Sequence, residues 1–199
     1  MNKLTLDKPI RQVMQGSRKD YIIFGIDASS RSTGTAWMDL TGKLLGYDAI
    51  ILPKKWAFGK KLSQYRFSLL RRLQAVQPMF VGMEELNYFR NAQTARVLGS
   101  MRGVTMEIVY RYNQCDVWTY CQPTLKKNLG VRHIGTQKSE VAKAVEQRFG
   151  IQVPRDKDLV WQDICDSIAV AWTLFIEMNA MLVFQDEIHV VSGPTGVPR

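Results

Sequence analysis

The sequence predicts a single α/β domain, built on a mixed five-stranded sheet of a three-strand antiparallel meander plus parallel strands, flanked by helices. Three observations predict it. A chain of 199 residues is long enough for one substantial core and short for two. Hydrophobic residues make up 46% and charged ones 23%, which excludes extensive disorder and a fibrous chain. The apolar pattern alternates between strand-like runs and helical spacing, in the order βββ-α-β-α-β-α-α.

Each element has a local reason. Tyr21 to Asp27 is a near-continuous apolar run ending on a carboxylate, as expected of a central strand buried on both faces. Thr33 to Asp39 follows a Ser/Arg loop, Thr41-Gly42-Lys43 makes a turn, and Leu44 to Leu52 is the third strand. Over residues 60–76, Leu62, Tyr65, Leu69, Leu70 and Leu73 share one helical face, and Pro78 closes the helix. Met79 to Glu85 is again an apolar strand ending in acid. The spacing of Leu98, Met101, Thr105, Ile108 and Tyr112 predicts a helix over Asn91 to Asn113, on which Gly99 and Gly103 would admit a second backbone, from the sheet or from another subunit. Cys115 to Tyr120 is a short strand and Pro123 to Leu129 a helical turn. Thr136 is a good N-cap for a helix ending at Phe149, with Gly150 as its stop. The last helix, Leu159 to Phe184, carries Ile164, Ile168, Ala171, Phe175, Met178 and Leu182 on its buried stripe. Asp166, Glu177 and Asn179 within it mark a core helix and not a membrane span.

Residues 1–20 read as a basic extension, 21–185 as the domain and 186–199 as a tail. The first 20 residues contain no apolar run suited to a signal peptide, so a cytoplasmic location is expected. Cys115, Cys121 and Cys165 lack the spacing of a disulfide framework or a zinc site and read as buried thiols. The balance of 27 basic to 18 acidic residues, a net charge of +9, favours a polyanionic partner.

Four carboxylates stand out by position. Asp27 and Glu84 lie at or near the ends of apolar strands, and neighbouring parallel strands would carry them to one edge of the sheet. Asp163 and Asp166, three residues apart at the start of the last helix, share a helical face. Converging there, the four would repel one another unless hard divalent cations sat between them, which is the donor set that Mg²⁺ or Mn²⁺ prefers. Without these four acids the chain has 27 basic and 14 acidic residues, so the site is an anionic patch in a cationic surface. That combination suits hydrolysis of a nucleic-acid phosphodiester with two metal ions. Sugar-kinase-like ATPases also open with an apolar strand, Asp and a Thr-Gly loop. They need two such domains and a second phosphate loop that this chain lacks, so no nucleotide cofactor is expected.

The ordered blocks Gly25-Ile-Asp-Ala-Ser-Ser-Arg-Ser-Thr-Gly34, Met83-Glu-Glu85, Asn91-Ala-Gln-Thr-Ala95, Leu98-Gly-Ser-Met-Arg-Gly-Val104 and Asp163-Ile-Cys-Asp-Ser-Ile-Ala169 resemble the RuvC family of Holliday-junction resolvases. The resemblance spans about residues 21–175. It implies an RNase H-like fold, a homodimer, and Mg²⁺-dependent symmetrical nicking of four-way DNA junctions in a bacterial cytosol or a phage-infected cell. Carried over by position, Asp27, Glu84, Asp163 and Asp166 are the catalytic metal ligands, with Glu85 the alternative to Glu84. Lys138 matches a basic residue near the scissile phosphate, and Lys126 or Lys127 a second. The family's junction-wedging aromatic aligns with Asn87, leaving Tyr88 or Phe89 to stack at the crossover. Arg31 and Arg90 complete the expected DNA contacts. A related nuclease cutting flaps, forks or other branched DNA is the competing reading.

Overall fold

A computed structural model of the chain describes residues 17–85, 91–131, 138–152 and 159–191, the side chains of 138–139 and 183–191 excepted. Five strands form one sheet: β1 (Ile22–Asp27), β2 (Ser32–Asp39), β3 (Leu44–Ile51), β4 (Phe80–Glu84) and β5 (Trp118–Tyr120). Their order across it is β3-β2-β1-β4-β5. β1, β2 and β3 pair antiparallel, whereas β4 runs parallel to both β1 and β5. The helices are α1 (Phe58–Val76), α2 (Ala92–Asn113), α3 (Gln122–Leu129), α4 (Lys138–Phe149) and α5 (Leu159–Val191). The α/β class, the meander and the parallel strands are as the sequence predicts.

Strand alternation sorts the core into two layers. Phe24, Ile26, Val81 and Met83 face α1 and α2, packing with Tyr65, Leu69, Leu73, Met101 and Ile108. Ile23, Ala36, Met38 and Phe80 face the other way, against Ile164, Ile168, Leu174 and Met178 of α5 and the flanking α3 and α4. Leu159–Leu182, with a mean hydropathy of 1.4, is long and apolar enough to cross a membrane. Its buried stripe covers β1 and β2 instead, which accounts for that composition.

Two glycines let α5 sit backbone-to-backbone on the sheet. A Cβ at Gly25 would stand 2.2 Å from the carbonyl oxygen of Ser167, and one at Gly34 would stand 1.9 Å from that of Asp163. No side chain fits at either place, so these positions fix the height and register of α5 over β1 and β2.

Several boundaries differ from the sequence reading. α1 begins at Phe58, and its stop is Gln77 in the left-handed conformation (φ 52°), one residue before Pro78. α5 continues through Val191, past the expected end at Phe184 and across the expected tail boundary. Ser17 caps a short 3₁₀ turn over Arg18–Asp20, and Arg18 donates to Asn179, so the basic extension is tied to the domain from Ser17 onward. Thr136 and residues 1–16 lie outside the described residues. Among the cysteines, Cys165 is buried and Cys121 half-buried, but Cys115 is exposed, contrary to expectation, because β5 begins only at Trp118 and leaves it in the preceding loop.

Candidate metal centre and active site

The register of β1 and β4 builds the site. Gly25 pairs with Gly82 and Ile26 with Met83, so the next step sets Asp27 beside Glu84 at the carboxyl ends of two parallel strands. Each acid lies two residues beyond a glycine that faces α5, and therefore shares that face. Asp166 arrives from above on the first turns of α5. One carboxylate oxygen from each of Asp27, Glu84 and Asp166 lies within 4.8 Å of the other two, and all three residues are half-buried.

This alternation separates Glu84 from Glu85. Glu84 joins the cluster, while Glu85 follows it on the opposite side of the strand and donates its backbone N–H to the Tyr120 carbonyl at 2.6 Å. Asp163 is half-buried one turn earlier on α5, with its backbone on Gly34, and its carboxylate lies outside the set of three.

Three carboxylates at this spacing repel one another by on the order of 3 kcal/mol per pair in a medium of effective dielectric about 20. The donors are all hard oxygens, they remain partly open to solvent, and they come from three separate elements. These properties fit a divalent cation of the Mg²⁺ or Mn²⁺ kind and do not fit a soft-metal site. Cys165, next to Asp166, adds no thiolate: burial above all, with the charges of Asp166 and Glu146, pushes its thiol up to about 12.

Beneath the cluster, on the α1/α2 side, lies a buried hydroxyl network that the hydropathy pattern does not reveal. Thr105 Oγ1 donates to the Met101 carbonyl at 2.8 Å, so the Tyr65 hydroxyl donates to Thr105, at 2.6 Å. Burial raises the Tyr65 phenol far above its ordinary range, and the nearby Asp27 charge adds to this. Thr33 Oγ1 donates to the Ser29 carbonyl at 3.1 Å and accepts from its N–H at 3.2 Å, folding back the loop that follows Asp27. Lys61 was also missed. It is buried and donates to the Ser30 carbonyl at 3.4 Å, taking the stripe position expected for Leu62, which is only half-buried. The four-residue spacing Lys61, Tyr65, Leu69, Leu73 was the available signal.

The remaining predicted residues are distributed as follows. Arg31 is exposed on the β1–β2 loop, and its carbonyl accepts from the Leu52 N–H at 2.7 Å. Lys126 is half-buried and Lys127 exposed in the last turn of α3. Lys138 opens α4, with its side chain outside the described residues, as are Tyr88, Phe89 and Arg90 entirely.

Comparison with known proteins gives a consistent result. The family model of the crossover junction endodeoxyribonuclease RuvC matches residues 23–174. The enzyme of that name from Rubrobacter xylanophilus is 26% identical over 162 residues, covering 79% of this chain and 87% of that protein. Its counterpart from Thermosipho melanesiensis is 28% identical over 160 residues, covering 78% and 97%. Among solved structures, T. thermophilus RuvC in complex with a Holliday junction substrate matches with a TM-score of 0.67 at 20% identity, over 81% of this chain and 97% of that one. The yeast mitochondrial Holliday junction resolvase matches with a TM-score of 0.55 at 12% identity, over 87% and 88%. The fold is thus that of the RuvC-like resolvases, and with most of its length matched by the family model the chain belongs to the crossover junction endodeoxyribonuclease RuvC family.

Proposed function

We propose that this chain resolves four-way DNA junctions by metal-dependent phosphodiester hydrolysis, with Asp27, Glu84, Asp163 and Asp166 as the acidic set. The observation that carries this reading is the meeting of Asp27, Glu84 and Asp166 oxygens within 4.8 Å in a member of a junction-endonuclease family. Asp27, Glu84 and Asp166 would hold one divalent ion, and Asp163, one helical turn earlier, would help to hold a second. Divalent ions held there would supply activation of the attacking water and charge stabilisation of the leaving oxygen.

The chain's own groups do the rest. Asp27 and Glu84 are held rigid by adjacent β-strands, and Asp166 by a helix locked through Gly25 and Gly34, so the ligand set is organised before substrate arrives. Lys138 neutralises the scissile phosphate, while Arg31, Lys126 or Lys127, and Arg90 position flanking phosphates. Tyr88 or Phe89 replaces base stacking lost at the crossover. Symmetrical cutting needs two such sites in a homodimer. Support for that assembly comes from α2, where Gly99, Gly103, Met106 and Tyr110 are exposed along one stripe. Such work on DNA places the protein in the cytoplasm of a bacterium or of a phage-infected cell.

The test is cleavage with Mg²⁺ of a four-way junction against a flap, a fork and a linear duplex of the same sequence. Paired nicks at the junction and slow cutting of the other three support this reading. Equal rates on all four would replace it with a nuclease of low structure selectivity.

A further inference from the structure

Residues 49–83 hold seven lysines and arginines and no aspartate or glutamate. Along α1 part of this charge is compensated, Arg66 pairing with Glu107 at 3.7 Å and Arg72 with Asp48. At the other end, Lys54, Lys55 and Lys60 are exposed, and among the described residues no carboxylate pairs with them. An uncompensated like-charge cluster in a folded surface costs self-repulsion and is relieved by a polyanion.

Its location is specific. The segment leaves β3 beside the loop that follows Asp27: Ser32 pairs with Ile51, Leu52 donates to the Arg31 carbonyl, and Lys61 donates to that of Ser30. The cluster therefore lies at the same end of the sheet as the acidic set, next to Arg31. The Trp56 N–H closes a turn onto the Pro53 carbonyl at 3.1 Å, and the Lys60 ammonium stands 4.4 Å from the Trp56 ring centroid. That hydrogen bond is made by the Trp56 backbone, and its half-buried indole carries one of the cations over its face.

We propose that Lys54, Lys55 and Lys60, braced by Trp56, form a phosphate-contacting ledge that seats the DNA arm leading into the metal centre. The ledge rests on the DNA-cleaving reading above and extends it to a surface distinct from the acidic set and from the lysines of α3 and α4. Its occupant is the duplex sugar–phosphate backbone, because three point charges on an exposed turn and the first turn of α1 read phosphate spacing and not base edges.

The test is equilibrium binding by fluorescence anisotropy, in excess chelator, to a labelled four-way junction and to a linear duplex over a range of KCl concentrations. The full-length wild type is compared with Lys54→Ala/Lys55→Ala/Lys60→Ala and with a charge-matched control, Lys19→Ala/Lys43→Ala/Arg111→Ala, whose exposed side chains lie toward the opposite end of the sheet. The ledge variant is expected to lose about tenfold or more in affinity, with a slope of log K against log salt reduced by about 2 to 3 relative to the control. Affinities and slopes equal to those of the control overturn the ledge. A wild type that binds tightly yet cuts no junction with Mg²⁺ would instead overturn the catalytic reading and leave the ledge result standing.

Discussion

Gly34 lies directly beneath the main chain of Asp163, so close that a Cβ on Gly34 would stand 1.9 Å from the Asp163 carbonyl oxygen. Gly34 is also the cross-strand partner of Asp27. One glycine thus couples the strand that carries the first acid to the helix that carries the last two.

Gly34→Ala is expected to lift the start of α5 from the sheet. The overpacking costs about 2–3 kcal/mol, a fall in Tm of roughly 5–10 °C for a domain of this size. Cleavage should fall by at least about 100-fold, since a ligand displaced by an ångström is misaligned for the reaction. Calorimetry together with junction cleavage checks both effects. An alanine variant with wild-type Tm and rate would show that the close approach does not set the site.

Asp27→Asn, Glu84→Gln and Asp166→Asn should each reduce cleavage by about 1,000-fold or more while leaving junction binding intact, because each removes a ligand charge and no surface cation. Glu85→Gln should stay within about threefold of wild type, since its side chain leaves the strand on the other side. Single-turnover cleavage and gel-shift binding on the same preparations separate the two roles. A Glu85 variant as inactive as the Glu84 variant would show that the two side chains do not leave β4 on opposite sides.

The fold and much of the site can be read from the sequence for one physical reason: strands buried on both faces announce themselves by apolar runs, and acids at their ends are conspicuous. Asp27 and Glu84 stand out in this way, and Asp166 by sharing a helical face with Asp163 at the start of the apolar last helix. The choice between Glu84 and Glu85 was not, because it depends on which face of β4 receives α5, a tertiary fact visible only once Gly82 is seen beneath Val170 and Leu174. Lys61 and the Tyr65–Thr105 pair escaped because hydropathy treats lysine as exposed and ignores hydroxyl pairing inside a core. The true end of α5 escaped because the run Gln185-Asp186-Glu187 reads as polar tail, although the helix continues through it.

Asp39, buried at the end of β2, accepts from the Thr41 N–H at 2.8 Å, the Thr41 hydroxyl at 2.5 Å and the Lys43 N–H at 3.1 Å. Burial works to raise its pKa, but these bonds, with the Lys43 charge, hold it below the ordinary value of 3.8. A depressed carboxylate stabilises the fold above its unfolded pKa, and that contribution disappears as pH falls through the folded value. Asp39→Asn should therefore cost about 1–2 kcal/mol at pH 7, with the difference from wild type closing below about pH 4. Urea unfolding of both proteins at pH 7, 5 and 3 reads this, and a difference independent of pH would assign the cost to shape and not to charge.

Junction affinity should fall steeply with ionic strength, by at least about 100-fold between 50 and 200 mM salt, as release of counterions from several phosphates requires. The net charge of +9 suits such an interface. A flat response in a KCl titration would argue against recognition dominated by phosphate contacts.

Anomalous diffraction from Mn²⁺-soaked crystals shows whether Asp27, Glu84 and Asp166 jointly hold a divalent ion. An anomalous peak is expected about 2.0–2.3 Å from one oxygen of each carboxylate, lost in Asp166→Asn crystals. Full Mn²⁺ occupancy elsewhere, with no peak between these three residues, would contradict it.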